Sequence, residues 1–157
     1  FGTELIRTIN GLDHEEVLAA ILTGIASEGL IARVVKVYRS SDCAAIGHIG
    51  AQLSSSGIAI GLQSRGTTVI HKRGLARLSN LELFPQSPSL TLEAYRAIGV
   101  NAARYALGKT TTPVPVQVDN WARLRLIVKT ALLHRHETEQ VQDQPPMEMR
   151  FDWEPDL

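Results

Sequence analysis

Two amphipathic helices, the first with a capping residue at its start, interleaved with short β-branched runs, constrain what this chain can fold into more than any other feature. Asp13 reads as an N-cap with Glu16 three residues on, the spacing of a capping box. Val17, Ile21, Leu22 and Ile25 then recur at helical intervals until Gly29, which predicts a helix over 14–28. A second apolar stripe, Leu92, Tyr95, Ile98, Ala102, Tyr105 and Ala106, runs from Thr91 to Leu107 and stops at Gly108. Between the two, 31–38 is alternating and β-branched, and Ser40, Ser41 and Asp42 offer caps for a short helix to about Leu53. Residues 58–63 form a third apolar run, and Ser64, Arg65 and Gly66 lead into a strand-like segment at 67–71. The stretch 4–10 alternates loosely and ends at Asn10-Gly11, which fits an opening strand and turn.

Strands separated by helices of this length imply crossovers. The expected fold is therefore α/β: a Rossmann-like three-layer domain with a mostly parallel sheet flanked by helices. Pro85 and Pro88 break any helix between 75 and 88, although that loop carries Leu78, Leu81, Leu83 and Phe84. A Thr/Pro/Val linker follows over 109–118, and 121–138 reads as a further helix or a strand pair. Residues 1–140 read as one domain and 141–157 as a loosely attached tail.

The 16 basic and 16 acidic residues cancel without long runs of one sign, which argues against nucleic acid or an anionic membrane as a partner. One cysteine, Cys43, cannot close an internal disulfide, and no secretory leader or spanning apolar run is visible, so a cytoplasmic location is expected. The chain begins at Phe1 rather than Met, which leaves an upstream segment open. The five histidines show no metal-ligand spacing, and neither a nucleophile elbow nor a glycine-rich phosphate fingerprint is present. No metal site and no catalytic residue are expected.

The unusual stretch is SSSGIAIGLQSRGTTVIH, 54–71, where small residues at a strand entry precede a polar turn with one cation, Arg65, and then Thr67 and Thr68. Such a turn is either an ordinary polar loop or a place where backbone N–H groups, a guanidinium and hydroxyls meet a phosphate or amide ligand. Asp42 carries the same ambiguity, between capping a helix and accepting from ligand amides. The apolar loop 80–88 is either core edge or a wall for a flat ligand or partner, and it leaves room for self-association of the isolated chain.

Taken together, SSD (40–42), the 54–71 stretch, LSNLELFPQSPSLTLEAYRAIGVNAARYA (78–106) and the Pro-x-Pro after it resemble the medium subunit of adenosylcobalamin-dependent diol and glycerol dehydratases, over nearly the whole chain. The resemblance implies a non-catalytic subunit of a lyase, packed against a large barrel subunit with adenosylcobalamin shared between the two. It also implies a small subunit, a reactivating factor as partner, and a setting that includes a bacterial microcompartment. It implies that the cofactor's own base stays on cobalt, in keeping with the lack of a D-x-H-x-x-G motif. Asp42 and Arg65 are the residues it places against corrin amides or the nucleotide phosphate, with Thr67, Asn80, Pro85 and Thr130 beside them. Arg65 stands where Lys is expected, Cys43 to His48 are less apolar than the pattern, and the tail after about Gln140 departs most. Rival readings are the small subunit of a dehydratase-reactivating factor, a diverged inactive homologue, and a free-standing nucleotide-binding enzyme, for which no fingerprint is found.

Overall fold

Asp13 and Glu16 do close a capping box, and α1 (His14–Ser27) starts there. The fold, a computed structural model, describes residue 2, residues 7–85 and residues 87–155. Most of the opening strand expected over 4–10 lies outside the described residues; within them, Arg7 forms an isolated bridge with Asp13. Asp42 caps α2 (Cys43–Leu53), accepting from the Ala45 N–H at 2.8 Å. Thr91 caps α3 (Leu92–Ala106) through the Ala94 N–H at 3.2 Å. The remaining elements are β1 (Val34–Lys36), β2 (Ile58–Leu62), β3 (Thr68–Lys72), β4 (Glu82–Phe84), a 3-10 turn at Ser87–Ser89, α4 (Asn120–Arg125), α5 (Ile127–Glu139) and β5 (Met147–Met149).

The sheet topology overturns the expected mostly parallel, Rossmann-like sheet. The described strands form two small antiparallel sheets, β2-β3-β4 and β1-β5. The reason is the length of the connections. Only five residues separate Leu62 from Thr68, too few for the dozen or so a parallel crossover needs, so β3 returns along β2 as a hairpin. Gly66, at φ 110°, supplies the left-handed residue that the reversal requires. The partner of β1 comes from the far end of the chain, with Val34 opposite Met149 and Lys36 opposite Met147.

Helices cover both faces of the β2–β3 hairpin. On one side Leu62 and Ile70 join Val17, Leu18, Ile21, Tyr95, Ile98 and Ala102 of α1 and α3 in the core. On the other, Gly47 of α2 lies against Val69, His71 and Gly61, with no room for a larger residue. The α1–α3 contact is closer still. A Cβ on Gly24 would stand 2.0 Å from the Arg96 carbonyl oxygen, and one on Gly99 would stand 2.1 Å from that of Ile21. The two helices meet backbone to backbone.

Beyond α3 the chain is held by a buried carboxylate. Glu82 of β4, 8% exposed, accepts from Asn101 Nδ2 at 2.8 Å, the Tyr105 hydroxyl at 3.0 Å and the Val114 N–H at 3.0 Å. One acidic side chain thus ties a strand, a helix and the linker over 109–118 together. Among the described residues, no helix is long and apolar enough to cross a membrane.

Candidate functional site

The turn between β2 and β3 gathers buried polar groups from several elements. Gln63 N–H donates to the Thr67 carbonyl at 2.9 Å and Gly66 N–H to that of Gln63 at 2.8 Å, which fixes the loop. The buried Tyr95 hydroxyl reaches across from α3 to the Gly66 carbonyl at 2.7 Å. Gln63 Nε2 donates to the Ser41 carbonyl at 2.5 Å, so the residue before Asp42 is bound to the turn. Lys129 Nζ donates to the Ile9 carbonyl, and Ile9 N–H donates to that of Arg65, which brings α5 alongside.

Arg65 points at α5. Its Nε lies 3.8 Å from Glu137 Oε1, and the two side chains are 18% and 1% exposed. Four buried polar atoms around this pair have no hydrogen-bond partner: Gln63 Oε1, Ser64 Oγ, Arg65 Nε and His134 Nδ1. Native interiors leave few such groups, and a cluster of them between one turn and the helix facing it is unmet hydrogen-bonding capacity rather than scatter.

The residues singled out from the sequence are placed as follows. Asp42 caps α2 and also pairs with Arg77 at 3.7 Å, so the helix-cap reading of it is realised without closing off its second oxygen. Thr67 is buried at the end of the turn. The register Thr68 with Phe84 puts Pro85 beside it, whereas Asn80 lies exposed at the other end of β3. Thr130 sits on α5 two turns before Glu137, on the same helix face as His134. Asp42, Arg65, Thr67 and Pro85 thus share one end of the sheet with α5 above them, and Asn80 stands apart.

Glu137 and His134 are the residues that sequence reasoning missed. A stripe over Thr130, His134 and Glu137 is visible in the spacing, but nothing local says that it faces Arg65. Burial pushes the Glu137 carboxyl up to about 7, with Arg65 pulling the other way. Burial, and then Arg65, hold the His134 imidazole below its ordinary 6.5. Cys43, between Asp42 and the hairpin, is pushed up to about 12 by burial and by Asp42.

These shifts set a pH dependence. A carboxyl raised above its ordinary 4.5 keeps its proton in the folded chain where the unfolded chain has released it. Its stabilising share is therefore complete below about 4.5 and is lost as pH rises through about 7. His134 opposes this at the acid end, since a depressed imidazole costs stability as pH falls below 6.5. Glu137→Gln is expected to remove the decline between about pH 4.5 and 7. Thermal melts that fall equally in the variant and the parent would rule out Glu137 as its source.

The fold resembles that of solved structures, among them two proteins of dehydratase reactivation. A glycerol dehydratase reactivase is 18% identical, with a TM-score of 0.59, covering 65% of this chain and 89% of its own. A diol dehydratase-reactivating factor complexed with ADP and Mg2+ is 23% identical, with a TM-score of 0.52, covering 63% and 85%. At those identities the likeness is one of fold. The family model of the dehydratase medium subunit matches residues 2–112, a span that includes the whole β2–β3 turn with Arg65, and the chain belongs to that family.

Proposed function

We propose that this chain is the cofactor-holding, non-catalytic medium subunit of an adenosylcobalamin-dependent diol or glycerol dehydratase, acting on a 1,2-diol or glycerol to give an aldehyde. The observation that carries the reading is the set of buried polar atoms without a hydrogen bond on Gln63, Ser64 and His134, beside an Arg65 held only by its ion pair with Glu137. They suit a ligand edged with amides and bearing a phosphate, since amide and phosphate groups supply both the donors and the acceptors such atoms lack.

In this reading Arg65 and Asp42 meet the phosphate and amide groups of the cofactor, Thr67, Pro85 and Thr130 line the same end, and Asn80, at the other end of β3, takes no part. The cofactor supplies the radical chemistry when bound, and the chain supplies binding and orientation. Glu137 occupies Arg65 in the free chain, so binding exchanges one Arg65 partner for another. The large barrel subunit supplies the other wall and the substrate site, and the small subunit completes the complex.

Coexpression with the large and small dehydratase subunits should give an adenosylcobalamin-dependent aldehyde activity on 1,2-propanediol or glycerol. Arg65→Ala should raise the cofactor concentration for half-maximal activity by about tenfold or more, the loss of one charge-assisted contact. A complex that assembles yet ignores the cofactor would defeat the proposal.

A second reading, a component of a dehydratase-reactivating factor, is favoured by the likeness of fold to such proteins. The partner separates the two: an ATP-hydrolysing large subunit for the factor, a barrel subunit for the dehydratase.

A further inference from the structure

The groups that the proposed function sets against the cofactor are shut in. Gln63 and Ser64 are 2% and 0% exposed, and the Arg65 side chain 18%. A ligand with a phosphate and a rim of amides cannot reach them from solvent while every cover stays in place. One cover has to move, and the packing says which. α1, α3 and the β2–β3 hairpin share one apolar core, and α2 is seated on the hairpin through Gly47. No residue of α5 joins that core. The one residue α5 buries is Glu137, while its Ile127, Val128 and Leu132 are exposed and lose no burial when it moves.

The attachments of α5 are polar. Lys129 Nζ donates to the Ile9 carbonyl at 3.2 Å, the Ser41 and Thr138 hydroxyls stand 3.0 Å apart, and Glu137 faces Arg65. Its seat is imperfect, because Gln63 Oε1, Ser64 Oγ and His134 Nδ1 lie buried there without a hydrogen bond, a cost that opening to water removes. The chain on either side is held elsewhere. Upstream, Glu82 and Asn101 hold the linker at Val114 and Thr112; downstream, the Gln142 N–H donates to the Tyr38 carbonyl at 2.9 Å and β5 pairs with β1. The helical path breaks at both ends of α5, at Leu126 (φ −100°, ψ 3°) and Gln140 (φ −94°, ψ 0°). A helix pinned beyond both ends, bounded by two breaks and loosely seated in the middle, has the build of a strap.

We infer that α5 is a strap closed over the β2–β3 turn in the free chain, which swings about Leu126 and Gln140 to admit the cofactor to Arg65. The inference rests on the proposed function and adds to it how the site is reached. Cofactor is then captured only by the open form, so its apparent affinity scales with the open fraction.

The test locks the strap. Ser41→Cys with Thr138→Cys, in a Cys43→Ala background that leaves no third thiol, sets two sulfurs within reach of a disulfide where the two hydroxyls now meet. The chain is oxidised, assembled with the large and small dehydratase subunits, and its adenosylcobalamin binding measured by equilibrium dialysis before and after reduction. The locked form should bind at least about a hundredfold more weakly than the reduced one, the effect of holding the open fraction that much lower. A Ser41→Cys chain oxidised alike should show no difference. Independently of the lock, nitroxide labels at Gln52→Cys and Leu132→Cys, both exposed positions, in the same background should change their separation by roughly 5 Å or more when the cofactor binds, about the radius of a helix with its side chains. If the locked complex binds as tightly as the reduced one, or the label separation stays fixed while cofactor binds, the strap is overturned and the proposed function stands. If the unaltered complex takes up no cofactor, both fall.

Discussion

Gly99→Ala should destabilise the chain by about 3 kcal/mol or more, although alanine is the better helix former by about 1 kcal/mol on a free helix. The new methyl would stand 2.1 Å from the Ile21 carbonyl oxygen, which is backbone and cannot rotate away. Relief requires α1 and α3 to separate by roughly an ångström, and the contacts of Val17, Ile21, Tyr95 and Ile98 loosen together, because a close-packed interior gives up attraction steeply with distance. Gly24→Ala meets the Arg96 carbonyl from the other side and should act in the same way. Gly50→Ala is the control. It is also helical, and its methyl would meet only the Ala59 Cβ at 3.0 Å, a tight contact that a shift of a few tenths of an ångström relieves, so its loss should be the smallest of the three. Urea unfolding midpoints for the three variants check this, and a Gly99→Ala midpoint equal to the parent's would mean that the helices do not meet at these glycines. Set against a total stability of about 5–15 kcal/mol for an ordinary domain, the loss is large.

Glu82→Ala should cost about 3 kcal/mol by a different route, the removal of an acceptor rather than the addition of bulk. Three donors lose their partner: Asn101 Nδ2, the Tyr105 hydroxyl and the Val114 N–H. Asn101 keeps the Thr112 carbonyl at 2.8 Å, so the deficit falls mainly on Tyr105 and Val114. Besides a lower urea midpoint, the Val114 amide should exchange with solvent far faster, since its one bond into the fold is gone. Unchanged exchange at Val114 would place the linker's anchor elsewhere. Gln at 82 should lie between Glu and Ala, because it keeps one oxygen but brings an amide N–H2 toward existing donors.

What was legible in the sequence was local. Asp13 with Glu16 marks the start of α1, and the apolar stripe ending at Gly108 marks α3 to within a residue or so, because caps and periodicity are decided by neighbours in the chain. Asp42 was read both as a cap and as a site residue, and the cap is what the fold displays. The strand pairing was misread for an equally physical reason. Strand composition announces a strand without its direction; the direction is carried by the five-residue connection through Ser64, Arg65 and Gly66, which makes a reversal instead of a passage between elements. Within the candidate site, Arg65 stood out as a lone cation among small residues, whereas Glu137 could not. Its role depends on α5 folding back over a turn some seventy residues earlier, and no local pattern encodes that contact.

Cys43 has a consequence of another kind. Its thiol is 6% exposed, faces the Gly61 and Thr67 carbonyls at 3.5 Å each, and is the one cysteine of the chain. A reagent in solvent can meet it only when the hairpin lifts from α2, and burial keeps it protonated and unreactive until that happens. The rate of labelling therefore counts openings of this hairpin and is blind to fraying elsewhere. The molecule carries a clock for the motion of its β2–β3 hairpin, readable without any substitution in the chain.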